Sequence, residues 1–226
     1  MVLTHLDPLA ASVFSLMAIA SLLLAFVMLG SRWLNNYLYA FAAESWIIAI
    51  LSATVGFYGN YPELYFIAIL TALFRGLFLP YLLWRIVRRL NVAREIHEIL
   101  QPSSALVVGA FCVLFSLAVA YRVGASLGLS ATVAVLALTV MLSMKLIGFL
   151  MLAVRHEALS QILALLVLEN GIFLGAQILV PGMPLLIEIV ILFDLLIVVA
   201  CFGVLIQYLL AGAGTTSSLE LKRLVG

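Results

Sequence analysis

The sequence predicts an all-α, polytopic membrane bundle of about seven transmembrane helices, with the N-terminus outside and the C-terminus cytoplasmic. Three observations carry this. Apolar residues make up 66% of the chain and charged residues 9%, whereas a soluble domain is roughly half apolar and a quarter charged. Apolar runs of about 20 residues, the length that crosses a bilayer core as a helix, recur along the whole chain. The runs are continuous and do not alternate, which argues against a β-barrel. Mean hydropathy is +1.30, so residues 1–226 read as one integral membrane domain.

Seven segments qualify in order: about 9–30, 38–58, 64–84, 104–121, 131–153, 158–180 and 184–210. The start, Met1 to Ala10, carries His5 and Asp7 but no Lys or Arg, so the first run is expected to be retained as a span and not cleaved as a signal peptide. Breakers separate the runs: Gly59-Asn60-Tyr61-Pro62, Gln101-Pro102-Ser103 and Pro181-Gly182-Met183-Pro184. Orientation follows from Lys and Arg outside the spans. One side holds Arg32, Arg85, Arg88, Arg89, Arg94, Arg155, Lys222 and Arg223, and the other only Arg122, which assigns the first side to the cytoplasm. The expected location is a prokaryotic plasma (inner) membrane, crossed several times, with the lipid bilayer as one partner.

Six charges sit inside the runs: Glu44, Arg75, Lys145, Glu169, Glu188 and Asp194. Ionised groups are expensive at membrane depth and persist where they pair or line a polar path. A lone Arg–Glu pair reads as a packing pin. Four acids facing two bases leave at least one carboxylate formally unpaired. A carboxylate beside a basic group that moves can take up and release a proton. The six are therefore candidates for a proton path.

Three neighbourhoods sharpen this. Pro80 donates no backbone hydrogen bond and leaves the Gly76 carbonyl free, so residues 74–80 are expected to kink beside Arg75. An ordinary proline kink would pair Arg75 with Glu44 or Glu169. In Glu169-Asn170-Gly171, glycine admits a close neighbour and asparagine adds an amide to the acid. Glu188 and Asp194 are six residues apart, hence about 120° apart around a helix, and need not share a face. His156 and Glu157 open the sixth span as an interfacial pair or a proton entry.

Other chemistries find no foothold. Cys112 and Cys201 lie in apolar runs and read as packing residues, too few for a disulfide or metal framework. The intramembrane Lys lies in the fifth span, which disfavours a retinal protein. No His falls within a span for a serine protease, and no Gly-rich phosphate loop opens a helix. No metal or cofactor is expected in this chain. The small net charge of +1 gives no nucleic-acid surface.

Gln161-Ile162, Leu168-Glu169-Asn170-Gly171, Pro184, Leu186, Glu188-Ile189 and Asp194 resemble the hydrogenase-4 component E family. Arg75, five residues before Pro80, stands where that family has Lys. The tail Leu221-Lys222-Arg223-Leu224-Val225-Gly226 is similar too. The resemblance implies a non-catalytic membrane subunit of a group 4 hydrogenase or formate hydrogenlyase-type complex, related to complex I, with other membrane subunits as partners. It divides the chain into four N-terminal spans, 1–125, and three C-terminal spans, 126–226, similar to the NuoK-type small subunit of complex I. It matches Glu169 to the first glutamate of a lateral proton path and leaves Glu188 or Asp194 as the second. Arg keeps the charge at 75 but not lysine's readiness to shed a proton, which favours Lys145 as the releasing base. A scaffold subunit and a stand-alone ion transporter are the alternatives; the second is disfavoured by the absence of an inverted repeat.

Overall fold

The structure, a computed structural model, describes residues 8–90, 100–126, 132–155 and 158–179, together with Ile189, Val190, Phe193, Ala200 and Val204. The elements are α1 (Pro8–Gly30), α2 (Leu34–Gly59), α3 (Glu63–Leu73), a π-helical turn (Phe74–Phe78), α4 (Leu79–Leu90), α5 (Pro102–Ser126), α6 (Thr132–Val154) and α7 (Ala158–Leu179). Among the described residues there is no strand. Among the described residues, six stretches are long and apolar enough to cross a membrane: Ala11–Gly30, Leu34–Gly59, Glu63–Arg85, Pro102–Ser126, Thr132–Val154 and Ser160–Gln177. They coincide with the first six expected spans, and the chain is a multi-pass membrane protein by that measure. The seventh expected span, with Glu188 and Asp194, lies outside the described residues apart from five helical positions.

The punctuation works as the sequence implies. Asn60 ends α2 in the left-handed conformation (φ 56°, ψ 40°), and its N–H donates to the Gly56 carbonyl. Asparagine tolerates that conformation better than most side chains. Pro62 then opens α3 with a helical φ of −63°. The expected break around Gly76 and Pro80 is a widened turn: the Leu79 N–H reaches the Phe74 carbonyl, five residues back. In a regular α-helix the Pro80 ring would press on the Gly76 carbonyl. Widening the turn relieves that contact without ending the span, so α3, the π turn and α4 cross as one unit.

Four helices close the core. α1 packs on α2 and α6, α6 on α7, and α7 back on α2. The α3–π–α4 unit flanks α2, and α5 flanks α1 and α6. α7 is the most buried span and α5 the least. Small residues set the closest approach. A Cβ at Gly171 would lie 2.7 Å from the Met144 Cβ, and one at Gly148 would lie 2.9 Å from the Leu168 Cβ. Close backbone approach of this kind is how membrane helices gain packing where lipid supplies no hydrophobic drive. Phe14, Phe41, Ile48, Met144 and Phe173 are among the residues filling the centre.

Candidate functional site: a buried polar chain across three spans

The seam where α2, the π turn and α7 meet is polar. Glu44, Arg75 and Asn170 are all fully buried there. Arg75 donates from Nη1 to Asn170 Oδ1 at 2.7 Å, and Asn170 donates from Nδ2 to Glu44 Oε2 at 2.9 Å. The amide thus stands between opposite charges, its acceptor toward the guanidinium and its donor toward the carboxylate. Arg75 also lies 5.4 Å from the centre of the Phe173 ring, one turn along α7 from Asn170. Among the described residues, Glu44 Oε1 is buried with no hydrogen-bond partner.

Depth explains why these three meet. Each lies ten residues from the end of its span: Leu34 to Glu44, Arg85 to Arg75, and Ser160 to Asn170. Consecutive spans alternate in direction, so those three ends share one side of the bundle. At 1.5 Å per residue each group sits about 15 Å in, roughly the middle of a hydrocarbon core. The seam continues two turns further. Gln177 Nε2 donates to Ser52 Oγ, and Ser52 Oγ donates to the Ile48 carbonyl at 2.9 Å. Ser52 lies eight residues after Glu44 and Gln177 seven after Asn170, so each shares its predecessor's helix face.

The structure therefore brings Glu44 and Arg75 together through Asn170, and the direct Arg–carboxylate pairing expected of a simple pin is replaced by an amide-bridged one for Glu44. Gly76 belongs to the turn that aims Arg75, and Pro80 lies two residues beyond it in α4. Glu169, one residue before Asn170, is half-buried and lies about 100° around α7. Lys145 is half-buried on α6. Its backbone N would lie 3.5 Å from a Cβ at Gly171. Glu188, Asp194, His156 and Glu157 lie outside the described residues.

Two features went unread in the sequence. The Ser52–Gln177 contact carried a signal in its spacing from Glu44 and Asn170. The other is Arg155, counted above among the flanking cytoplasmic charges but only 2% exposed. Its Nη2 donates to the Met28 carbonyl at 2.7 Å, and its guanidinium lies 4.6 Å from the centre of the Tyr37 ring. It caps the open carbonyls at the end of α1, where a cation also favours the helix dipole.

No family model matches the sequence, and no solved structure matches it. The chain is similar to the Uncharacterized protein Rv0085 of Mycobacterium tuberculosis (strain ATCC 25618 / H37Rv). The two are 30% identical over 159 residues, which cover 70% of this chain and 71% of that protein.

Proposed function

The chain belongs to the same family as the Mycobacterium tuberculosis protein Rv0085; from the motifs that resemble hydrogenase-4 component E, we propose that it is a membrane subunit of a complex-I-related, multi-subunit oxidoreductase of the group 4 hydrogenase type. It contributes to a proton-translocation path, with its N-terminus outside and C-terminus cytoplasmic in a prokaryotic inner membrane. Redox cofactors belong to partner subunits. The observation that supports this reading is the buried Arg75–Asn170–Glu44 chain.

A packing pin between Arg75 and Glu44 would put guanidinium and carboxylate in direct, two-pronged contact. Here a neutral amide holds them apart at mid-membrane, and one carboxylate oxygen lacks a donor among the described residues. Such a pair has a closed and an open arrangement. When Arg75 moves toward Glu44, the carboxylate is held ionised; when it moves away, Glu44 takes up a proton. The amide is neither acid nor base near neutral pH, so Asn170 positions the pair and carries nothing. Lys145, Glu169 and Asp194 remain the proposed carriers, with Glu44 and Arg75 controlling them and Glu188 as the outer acid.

Inside-out vesicles containing the intact complex test this. Glu169→Gln and Glu44→Gln are each expected to stop proton uptake while redox turnover and subunit stoichiometry persist. Proton uptake at the wild-type rate in both variants would overturn the assignment. A scaffold reading draws on the same side-chain contacts, since each joins two helices. Under it, both variants lose subunits from the purified complex, and the proton-to-electron ratio of what assembles is unchanged.

A further inference from the structure

α2 and the π–α4 unit leave an open groove of about 290 Å³ between them. Leu38 and Ala42 form one wall, and Leu77, Pro80 and Tyr81 the other. Gly76 is among the lining residues, one position from Arg75, while Asn35 and Trp84 lie at the opposite end. From Leu77 in the π turn, Tyr81, Trp84 and Arg88 follow at four, seven and eleven residues along α4, so Arg88 continues the groove-lining stripe beyond its mouth. The Arg88 guanidinium stacks 4.6 Å from the centre of the Trp84 ring and is exposed. Arg32 and Arg85 are exposed at the same end, and residues 32–43 and 77–90 contain no acid.

The apolar slot runs from interfacial depth to about 12 Å along α4, counted from Trp84 to Gly76. The exposed cations and the Asn35 amide gather at its shallow end, beside Trp84. That polarity is the shape of a lipid: a chain along the slot and an anionic headgroup on the arginines. A second protein helix would need an apolar surface along the slot and, in addition, an acid placed at its shallow end, whereas an anionic lipid supplies both by its construction. We propose that this groove is a binding site for an anionic phospholipid of the leaflet on the Arg88 side, its phosphate held by Arg88 with Asn35 and its chain reaching Gly76. Because the chain end lies against the turn that aims Arg75, an occupied groove supports the geometry of the polar chain. The binding claim itself is independent of any proton path.

The three tryptophans give a direct test, since Trp33 and Trp46 can be replaced to leave Trp84 as a lone reporter. The full-length W33F/W46F chain is reconstituted in phosphatidylcholine vesicles containing increasing fractions of brominated-chain phosphatidylglycerol or brominated-chain phosphatidylcholine. Trp84 quenching is expected to saturate at about fivefold lower mole fraction with phosphatidylglycerol. Arg88→Gln should remove that preference, and Arg122→Gln, on α5, should leave it. Ala42→Phe, which fills the slot, should abolish the saturable component. Equal quenching by the two headgroups, or a preference that survives Arg88→Gln, overturns the proposal. Absence of quenching by either lipid overturns it too. If W33F/W46F does not fold, native mass spectrometry of the wild-type chain decides: retained phosphatidylglycerol, competed poorly by phosphatidylcholine, is expected, and retention of neither sinks it.

Discussion

Asn170 donates its amide N–H to Glu44 across the α2–α7 contact at 2.9 Å, joining residues 126 positions apart in sequence. With its other end it accepts from Arg75 at 2.7 Å. One neutral side chain therefore bonds two buried charges of opposite sign.

Asn170→Leu removes both bonds while keeping the number and branching of the side-chain heavy atoms. Hydrogen bonds to charged groups are worth about 1.5–3 kcal/mol each, and removing a buried charge's partner costs more than a neutral group's. The variant is expected to unfold in detergent at a markedly lower temperature than wild type. A double-mutant cycle of Glu44→Gln and Arg75→Gln gives the sign: the double change should cost less than the sum of the single ones, by about 1–3 kcal/mol. Simple additivity would mean that the amide screens the two charges from each other.

Arg155 supports the end of α1 through the Met28 carbonyl and Tyr37. Arg155→Gln is therefore expected to lower thermal stability, whereas Arg122→Gln, exposed on α5, is expected to be neutral. Hydrogen exchange by mass spectrometry should localise the loss to residues 26–31. Equal stability in the two variants would return Arg155 to the role of a flanking topological charge.

Gly171 on α7 and Gly30 at the end of α1 separate two kinds of close contact. Gly171→Ala brings a Cβ to 2.7 Å of the Met144 Cβ and 3.3 Å of the Met141 carbonyl, so the helices must part. Gly30→Ala meets only the end of Leu106 at 3.4 Å, an ordinary contact. Folded yield after extraction should fall severely for the first and stay near wild type for the second.

The sequence made the spans legible because a bilayer demands about 20 apolar residues whatever the helices pack against. It also flagged Glu44 and Arg75, since a charge at depth is conspicuous wherever it occurs. Their bridge was harder to read. An asparagine beside a glutamate draws the eye to the glutamate, and only the rotation of α7 decides which of the two faces α2. The contacts of Arg155 stayed unread for a related reason: its acceptors are backbone carbonyls on α1, and carbonyls leave no mark in a sequence. The proline at 80 announced a break near Arg75, but a kink and a widened turn have the same composition.

That last distinction has a measurable consequence. Pro80→Ala restores an N–H at 80 and removes the ring that presses on Gly76 in a regular helix. The wide turn then has no local cause and can relax to an α-helix, which drops one residue from the turn and rotates the preceding segment by about 100°. Arg75 lies in that turn, so relaxation carries its guanidinium away from Asn170. Amides at 76–80 should become better protected from hydrogen exchange, while the protein as a whole loses about as much stability as Arg75→Gln does. If tertiary packing of Trp46 on Gly76 holds the turn open instead, exchange at 76–80 stays unchanged in Pro80→Ala. In that case Gly76→Ala, whose Cβ would lie 3.1 Å from the Trp46 Nε1, is the substitution that shifts the turn.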